Sequence, residues 1–268
     1  MAVIDQRDAA TGPEEPDPDG GQVLSEPGTM TIWEHLAELR NRIVVCLVAV
    51  VATSIAAWFL YGPAVEFMRE PYCQFARLHK SSTFGGCRLY YTGPVEGFTT
   101  RLKVSVYIGV AIAAPVWLLQ LWMFITPGLK KSEKRYIVPF VAAATCLFAM
   151  GVTVAILVFP RALRWLLLVS GPGIVPLLSP TKYFTLYVFM ALAFGLVFIY
   201  PLVLVALEIT GVVPSAKWRK WRRPAIVVVA AVAAIATPSN DPYSFMALAI
   251  PMYVFYELAI IVGRLLKK

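Results

Sequence analysis

Long uncharged apolar runs constrain this chain more than any other feature of its sequence. A helix needs about 20 residues to cross a hydrocarbon core that is roughly 30 Å thick. Four runs come close to or exceed that length, at residues 43–61, 104–125, 136–160 and 183–207. With 59% hydrophobic and only 15% charged residues, the chain is not a water-soluble globule. The sequence therefore predicts an all-α polytopic membrane protein.

Two shorter runs follow at residues 224–236 and 242–256, and a proline-containing turn separates them. Such a pair is compatible with one re-entrant hairpin or with two spans that thin the bilayer locally. Arg264 and the two terminal lysines after the second run favour two spans. We therefore predict six transmembrane helices, the last two of them short. Prolines in or beside the runs predict a kinked and curved bundle, namely Pro115, Pro139, Pro201 and Pro251.

The first 30 residues differ in composition from the rest of the chain. They hold seven acidic residues, one basic residue, four prolines and four glycines. Such a segment buries too little apolar surface to offset its ordering entropy. We predict a disordered acidic cytoplasmic tail over residues 1–30 and a membrane domain over residues 31–268.

Basic residues indicate the orientation of the predicted helices. They concentrate in the short segments 130–135 and 217–223 and at the C-terminus. Short cytoplasmic loops carry an excess of lysine and arginine, so we predict a multi-pass protein of the cell membrane with both termini in the cytoplasm. Arg101 and Lys103 do not fit this pattern, because they fall in the predicted external loop 62–103.

The sequence offers no residue set for catalysis or metal binding. Its two histidines and four separated cysteines match no common metal spacing, and it lacks Walker A, HExxH and GxSxG motifs. We therefore expect neither a cofactor nor enzymatic activity. A small-solute secondary transporter is an alternative class, but it needs polar groups near the midplane, which the runs hardly supply. An intramembrane enzyme would need a nucleophile or a metal set there.

Charged residues precede the first run at helical spacing. Glu38 lies four residues before Arg42, which places both side chains on one face of a helix. The simplest interpretation is a surface ion pair worth about 0.2 to 0.5 kcal/mol. The alternative is a carboxylate held at the cytoplasmic interface to receive a cation.

Two longer motifs lie on the predicted cytoplasmic side. Residues 35–42 read HLAELRNR, and residues 124–135 read FITPGLKKSEKR. They resemble the HLxELRxR and FxxPgLyxxErr signatures of the TatC family, the core receptor of the twin-arginine protein translocase. Shorter matches follow in family order: FP at 159–160, FG at 194–195 with Pro201, TP at 237–238 with Asp241, and IPMY at 250–253 with Glu257.

The resemblance implies a function and a set of partners. Folded proteins that carry a twin-arginine signal peptide would bind on the cytoplasmic side, and the proton-motive force would drive their export. TatA- and TatB-type single-helix subunits would assemble around the chain in membrane lipid, in a complex holding further copies of it. We expect no nucleic-acid partner, because the basic residues form short runs and no single basic surface.

The resemblance also assigns residues to two sites. Carboxylates bind planar guanidinium groups by charge-assisted hydrogen bonds, which makes Glu38 and Glu133 the acids expected to receive paired arginines. Neutralisation of Lys130 or Arg135 is an alternative role for Glu133. The expected signal-peptide site comprises Glu38, Glu133, Phe124, Pro127, His35, Arg40 and Arg135. The expected partner-binding residues are Thr237, Asp241, Pro201 and Glu257.

One position departs from the family pattern. Where the family commonly has a glutamate in the fourth span, this chain has Ile199. A carboxylate within a membrane is usually functional, so a mechanism that needs a titrating group in this span is not expected here.

Two cysteines, Cys73 and Cys87, share the predicted external loop with 13 residues between them. Thiols on that side of the membrane are oxidised, so we predict a structural disulfide between them. The alternative is two free thiols. The spacing is not that of a CxxC redox motif.

Overall fold

The computed structural model describes residues 32–78, 87–125, 137–169, 171, 177–209, 221–238 and 241–266. These residues form helices and connecting segments, with no strand among them. The helices are α1 Ile32–Phe59, α2 Tyr61–Leu78, α3 Glu96–Ile112, α4 Ala114–Ile125, α5 Ile137–Leu168, α6 Pro180–Phe198, α7 Tyr200–Ile209, α8 Arg222–Ala236 and α9 Pro242–Leu266. The predicted all-α class is confirmed, whereas the predicted tail lies outside the described residues.

Among the described residues, four helical stretches are long and apolar enough to cross a membrane, namely Leu36–Phe59, Ile137–Leu168, Pro180–Val205 and Pro242–Ile261. Helices α3 and α4 are bent by 57° relative to each other, and they make a fifth candidate span if the pair counts as one. Helix α8 has only 15 residues, or about 22 Å of helix, and does not reach this length. The count of six spans therefore stays a prediction.

The prediction that the last helix is short is wrong. Helix α9 has 25 residues and continues past Glu257, where we expected the apolar run to be interrupted. The carboxylate of Glu257 is bound by Arg222 of α8 at 2.6 Å, and the hydroxyl of Tyr253 donates to it at 3.2 Å. A paired glutamate is compatible with a helix that stays in the bundle, so the helix does not end there.

Helix α2 lies within the segment predicted as the external loop. Met68, Tyr72 and Phe75 recur at helical spacing and are all buried. They join a core that includes Phe159 and Tyr183 of α5 and α6. The Tyr183 hydroxyl donates to the backbone oxygen of Met68 at 2.7 Å. These contacts fix α2 against the bundle.

Prolines explain two helix breaks. Helix α3 ends at Ile112 and α4 begins at Ala114, one residue before Pro115. Proline lacks the amide hydrogen and disfavours the helical conformation of the preceding residue, which favours a break at this point, whereas α5 and α9 continue through Pro160 and Pro251. The same reason applies to Pro201, which follows the break between α6 and α7. These breaks agree with the predicted kinked bundle.

Cys73 lies on α2, and Cys87 begins the segment that leads to α3. The structure joins their sulfur atoms, with the two Cα atoms 4.7 Å apart. This Cα separation falls within the usual range for disulfides. Through this bond, α2 would be held to the segment before α3.

We expect both cysteines to resist alkylation until a reductant is added. Replacing Cys73 with serine should lower the free energy of unfolding by about 3 kcal/mol, because the unfolded chain gains the freedom of a loop of this size. Labelling with a maleimide before and after reduction, followed by peptide mass analysis, measures the pairing. Cys73→Ser, which frees the thiol of the half-buried Cys87, serves as the positive control for labelling. Full labelling of Cys73 and Cys87 before reduction would contradict the prediction.

Candidate functional site

Glu38 lies near the start of α1 and forms the predicted pair with Arg42. The Nε atom of Arg42 donates to Oε1 of Glu38 at 3.1 Å, and its Nη2 atom also bonds that oxygen. The other terminal nitrogen of Arg42 reaches Oε1 of Gln120 on α4 at 3.5 Å. The arginine therefore links the carboxylate on α1 to the neighbouring helix.

The pair remains accessible from outside the bundle. The side chains of Glu38 and Arg42 keep 26% and 19% of their surface exposed, respectively. Phe124 lies one turn beyond Gln120 on α4 and is half-buried. A partly exposed carboxylate that already binds a guanidinium has the chemistry to bind an incoming one in its place.

The other residues of the expected signal-peptide site are placed only in part. Arg40 is exposed on α1, about 200° around the helix from Glu38, so these two side chains leave it on different faces. His35 belongs to α1, but its side chain lies outside the described part of the chain. Pro127, Glu133 and Arg135 also lie outside the described residues. The structure thus gives the geometry of one acid of the predicted pair.

Thr237 and Asp241, two of the expected partner-binding residues, are buried at the turn between α8 and α9. The hydroxyl of Thr237 donates to the backbone oxygen of Ala233 at 2.9 Å. The carboxylate of Asp241 accepts a hydrogen bond from the Ser244 backbone amide at 2.7 Å and so caps the start of α9. Each side chain thus caps the end of its own helix, Thr237 that of α8 and Asp241 that of α9.

The remaining two expected partner-binding residues also make or adjoin internal contacts. Glu257 pairs with Arg222 across α8 and α9, as described above. Pro201 is the second residue of α7 and half-buried.

Within the described ranges, no group of three or more histidine, cysteine or acidic residues is arranged to hold a metal ion.

Comparison with known proteins shows the family of the chain. The family described as Sec-independent protein translocase protein (TatC) matches residues 34–251. The chain belongs to the TatC family. It is therefore a subunit of the Tat protein translocase and a multi-pass protein of the cell membrane, and it is not an enzyme.

Curated TatC relatives agree over most of the chain. The Sec-independent protein translocase protein TatC of Frankia casuarinae is 40% identical over 90% of this chain and 67% of the relative. That of Corynebacterium kroppenstedtii is 37% identical over 87% of this chain and 61% of the relative. That of Carboxydothermus hydrogenoformans is 30% identical over 90% of this chain and 96% of the relative. The chain thus spans about two thirds of the first two relatives and nearly all of the third.

A solved structure described as the crystal structure of twin arginine translocase receptor TatC is similar in fold. It superposes with a TM-score of 0.70 at 30% identity, covering 88% of this chain and 100% of the other. A second, described as the same receptor in DDM, gives a TM-score of 0.69 at 32% identity.

Ile199 occupies the break between α6 and α7 in this TatC chain. Its side chain is buried and packs in a cluster with Leu118 and Phe148. An apolar residue suits this environment, because a carboxylate there would need a buried partner.

Arg101, one of the two basic residues that did not fit the predicted orientation, has a local role in this TatC chain. Its guanidinium lies 4.3 Å from the centre of the Trp58 ring, and Nη2 donates to the Trp58 backbone oxygen at 3.1 Å. The arginine of α3 thus satisfies a carbonyl at the end of α1. Neither this contact nor that of Gln120 follows from a sequence pattern, because both depend on how α1 packs against its neighbours.

Proposed function

We propose that this chain is the receptor and core subunit of the twin-arginine translocase. It binds the twin-arginine signal peptides of folded proteins on the cytoplasmic side through Glu38 and Glu133. It also organises TatA- and TatB-type single-helix subunits for export driven by the proton-motive force. The observation that carries the proposal is the half-exposed Glu38 carboxylate between α1 and α4, which already holds a guanidinium.

The topology that goes with this function has six spans. In it, α3 with α4 forms the second span and α8 the short fifth one, with both termini in the cytoplasm. The basic segments 130–135 and 217–223 support this orientation. It places the start of α1 and the end of α4 on the cytoplasmic side, where a signal peptide arrives.

A comparison of two peptides tests the proposed receptor. We expect the purified chain to bind a twin-arginine signal peptide at least about tenfold more tightly than the same peptide with two lysines. Arginine presents a planar fork to a carboxylate, whereas lysine offers a strongly hydrated point charge. Fluorescence anisotropy in detergent or nanodiscs measures both affinities. Equal affinities would contradict specific recognition of paired arginines.

For partner binding we propose a division of roles between the turn and the exposed face of α8. The buried Thr237 and Asp241 and the paired Glu257 set the hairpin geometry, and Pro201 sets the α6–α7 break beside it. Exposed apolar residues of α8, including Val227 and Ile235, then contact single-helix subunits. A helix of about 22 Å in a core of about 30 Å leaves a mismatch that such packing relieves. Local thinning of the bilayer is the alternative.

Cysteine crosslinking separates these two alternatives. We expect Ala234→Cys on the exposed side of α8 to form disulfide crosslinks, when an oxidant is added to native membranes, to single-helix subunits that carry an introduced cysteine. Ala247→Cys on α9, which is half-buried, should crosslink less. Ala52→Cys, exposed on α1, is the matched control away from the hairpin. Absence of any partner crosslink at position 234, with folded protein present, would favour local thinning.

A further inference from the structure

The bend between α3 and α4 determines where α4 lies relative to α1. The two helices are bent by 57° at Ala113, which lies between them. The amide of Val116 donates to the Ala113 oxygen at 2.9 Å, whereas in a continuous helix it would bond to Ile112. Pro115 has no amide hydrogen to donate to the preceding turn. Such a break leaves carbonyl oxygens short of backbone donors, and within a membrane other groups must satisfy them.

Trp117 of α4 supplies one such donor. Its indole Nε1 donates to the backbone oxygen of Val110 at 3.1 Å, so a side chain of α4 binds the last turn of α3 across the bend. The same ring packs edge-to-face on Phe148 of α5, with the ring centroids 5.8 Å apart. Because the hydrogen bond joins the two sides of the bend, it opposes a change in the angle between α3 and α4.

Helix α3 is itself fixed against α1 just before the bend. A Cβ atom at Gly109 would lie 2.7 Å from the Cα and N atoms of Ser54, so α1 and α3 are in backbone contact there. The Thr53 hydroxyl lies 2.8 Å from the Gly109 oxygen, and 2.9 Å and 3.1 Å from the oxygens of Ala49 and Val50 in its own helix. With α3 fixed at this point, the bend determines where the far end of α4 lies along α1.

The far part of α4 carries two residues of interest at the candidate site. Gln120, which contacts Arg42, lies about 10 Å along the helix from the bend, and Phe124 lies about 16 Å from it. A change of about 10° in the bend would move these two residues by about 2 Å and 3 Å, respectively. The contact between Arg42 and Gln120 is already 3.5 Å long, so such a displacement would break it.

We propose that Trp117 is a positioning residue of the signal-peptide site. Its indole N–H holds the α3–α4 bend at the angle that places Gln120 against the Glu38–Arg42 pair. The inference rests on the proposed function, in which an incoming arginine takes the place of Arg42. A planar guanidinium needs acceptors at fixed positions, whereas the ammonium of lysine is a point charge with rotating donors. Trp117 therefore contributes to the preference for arginine over lysine.

Crosslinking in the absence of peptide tests the position of α4. Arg42→Cys and Gln120→Cys are introduced together into a full chain whose free cysteines are removed by Cys46→Ala and Cys146→Ala. A short bismaleimide then joins the two new thiols. We expect Trp117→Phe, which keeps an aromatic ring and removes the N–H, to lower the crosslinking rate at least about threefold, the usual effect of one hydrogen bond in a membrane.

Peptide binding tests the consequence for recognition in the chain with Arg42 and Gln120 intact. Trp117→Phe should weaken binding of the twin-arginine peptide at least about threefold and leave binding of the two-lysine peptide nearly unchanged. A loss of folded protein would remove binding sites for both peptides alike, so the ratio of the two affinities separates positioning from stability. Trp165→Phe on α5, where the tryptophan is also half-buried, is the matched control and should change neither affinity.

A tryptophan isostere separates the N–H from the shape of the ring. At position 117, 3-benzothienylalanine replaces the N–H with sulfur, and it should reproduce both effects even if the smaller phenylalanine ring destabilises the bundle. Wild-type crosslinking with the isostere would overturn the inference, as would an equal loss of affinity for both peptides. If the wild-type chain showed no preference for paired arginines, the proposed function would fail. The crosslinking rates would then still decide whether Trp117 positions α4.

Discussion

Exchange of Glu38 and Glu133 for lysine is expected to abolish binding of a twin-arginine signal peptide. Removing one partner of a hydrogen-bonded charge pair at an interface costs about 2 kcal/mol or more, or roughly 30-fold in affinity. Charge reversal adds repulsion, so the double variant should lose at least about 100-fold. Anisotropy with the labelled peptide measures the loss, and peptide crosslinking reports it in membranes.

The ion pair between Glu38 and Arg42 allows a more specific test of this prediction. If Glu38 serves only its ion pair with Arg42, then Glu38→Gln and Arg42→Gln should have the same small effect on peptide binding. If Glu38 is a receptor, Glu38→Gln weakens binding, whereas Arg42→Gln frees the carboxylate and preserves or strengthens binding. Glu66→Lys on the exposed side of α2 is a matched charge reversal and should change nothing. Undiminished crosslinking in the folded Glu38→Lys, Glu133→Lys variant would contradict the receptor site.

The sequence predicted those features of the fold that depend on local chemistry. Apolar run length indicated α5, and the proline at position 115 indicated the α3–α4 break, because hydrophobic length and the missing amide act within one segment. Helix α2 was not predicted because charged residues separate its apolar ones. The apolar stripe is recognised as a core-facing surface only once the bundle that buries it is known. The end of α9 was misplaced because Glu257 is satisfied by an arginine from another helix.

The same distinction holds for the candidate site. The pairing of Glu38 with Arg42 depends on spacing within about one helical turn, so it could be predicted directly from the sequence. Gln120, 78 residues further along the chain, meets Arg42 only because α1 packs against α4. Contacts of this kind depend on tertiary packing, for which a single sequence carries no periodic signal.

Replacing Gly151 with leucine is expected to prevent folding of the bundle, with a loss of about 4 kcal/mol or more. A Cβ atom at this position would lie 2.5 Å from the backbone oxygen of Phe194 and 2.9 Å from the Cα atom of Gly195. Both are backbone atoms of α6, so neither can move without separating α5 from α6. These two helices form the centre of the core that also holds α2.

A series of glycine-to-alanine variants shows whether the close approach of α5 and α6 is the reason that Gly151 does not tolerate a side chain. At Gly195, the added Cβ meets the Phe148 ring at 2.7 Å, and a side chain can shift, so Gly195→Ala should cost less than Gly151→Ala. A Cβ atom added at Gly62 on α2 meets no atom of the described residues within 4 Å, so Gly62→Ala should stabilise the helix by up to about 1 kcal/mol. Unfolding midpoints in detergent rank the three variants. A Gly151→Ala midpoint equal to that of Gly62→Ala would mean that α5 and α6 are not in backbone contact, because only such contact reverses the usual gain from glycine to alanine within a helix.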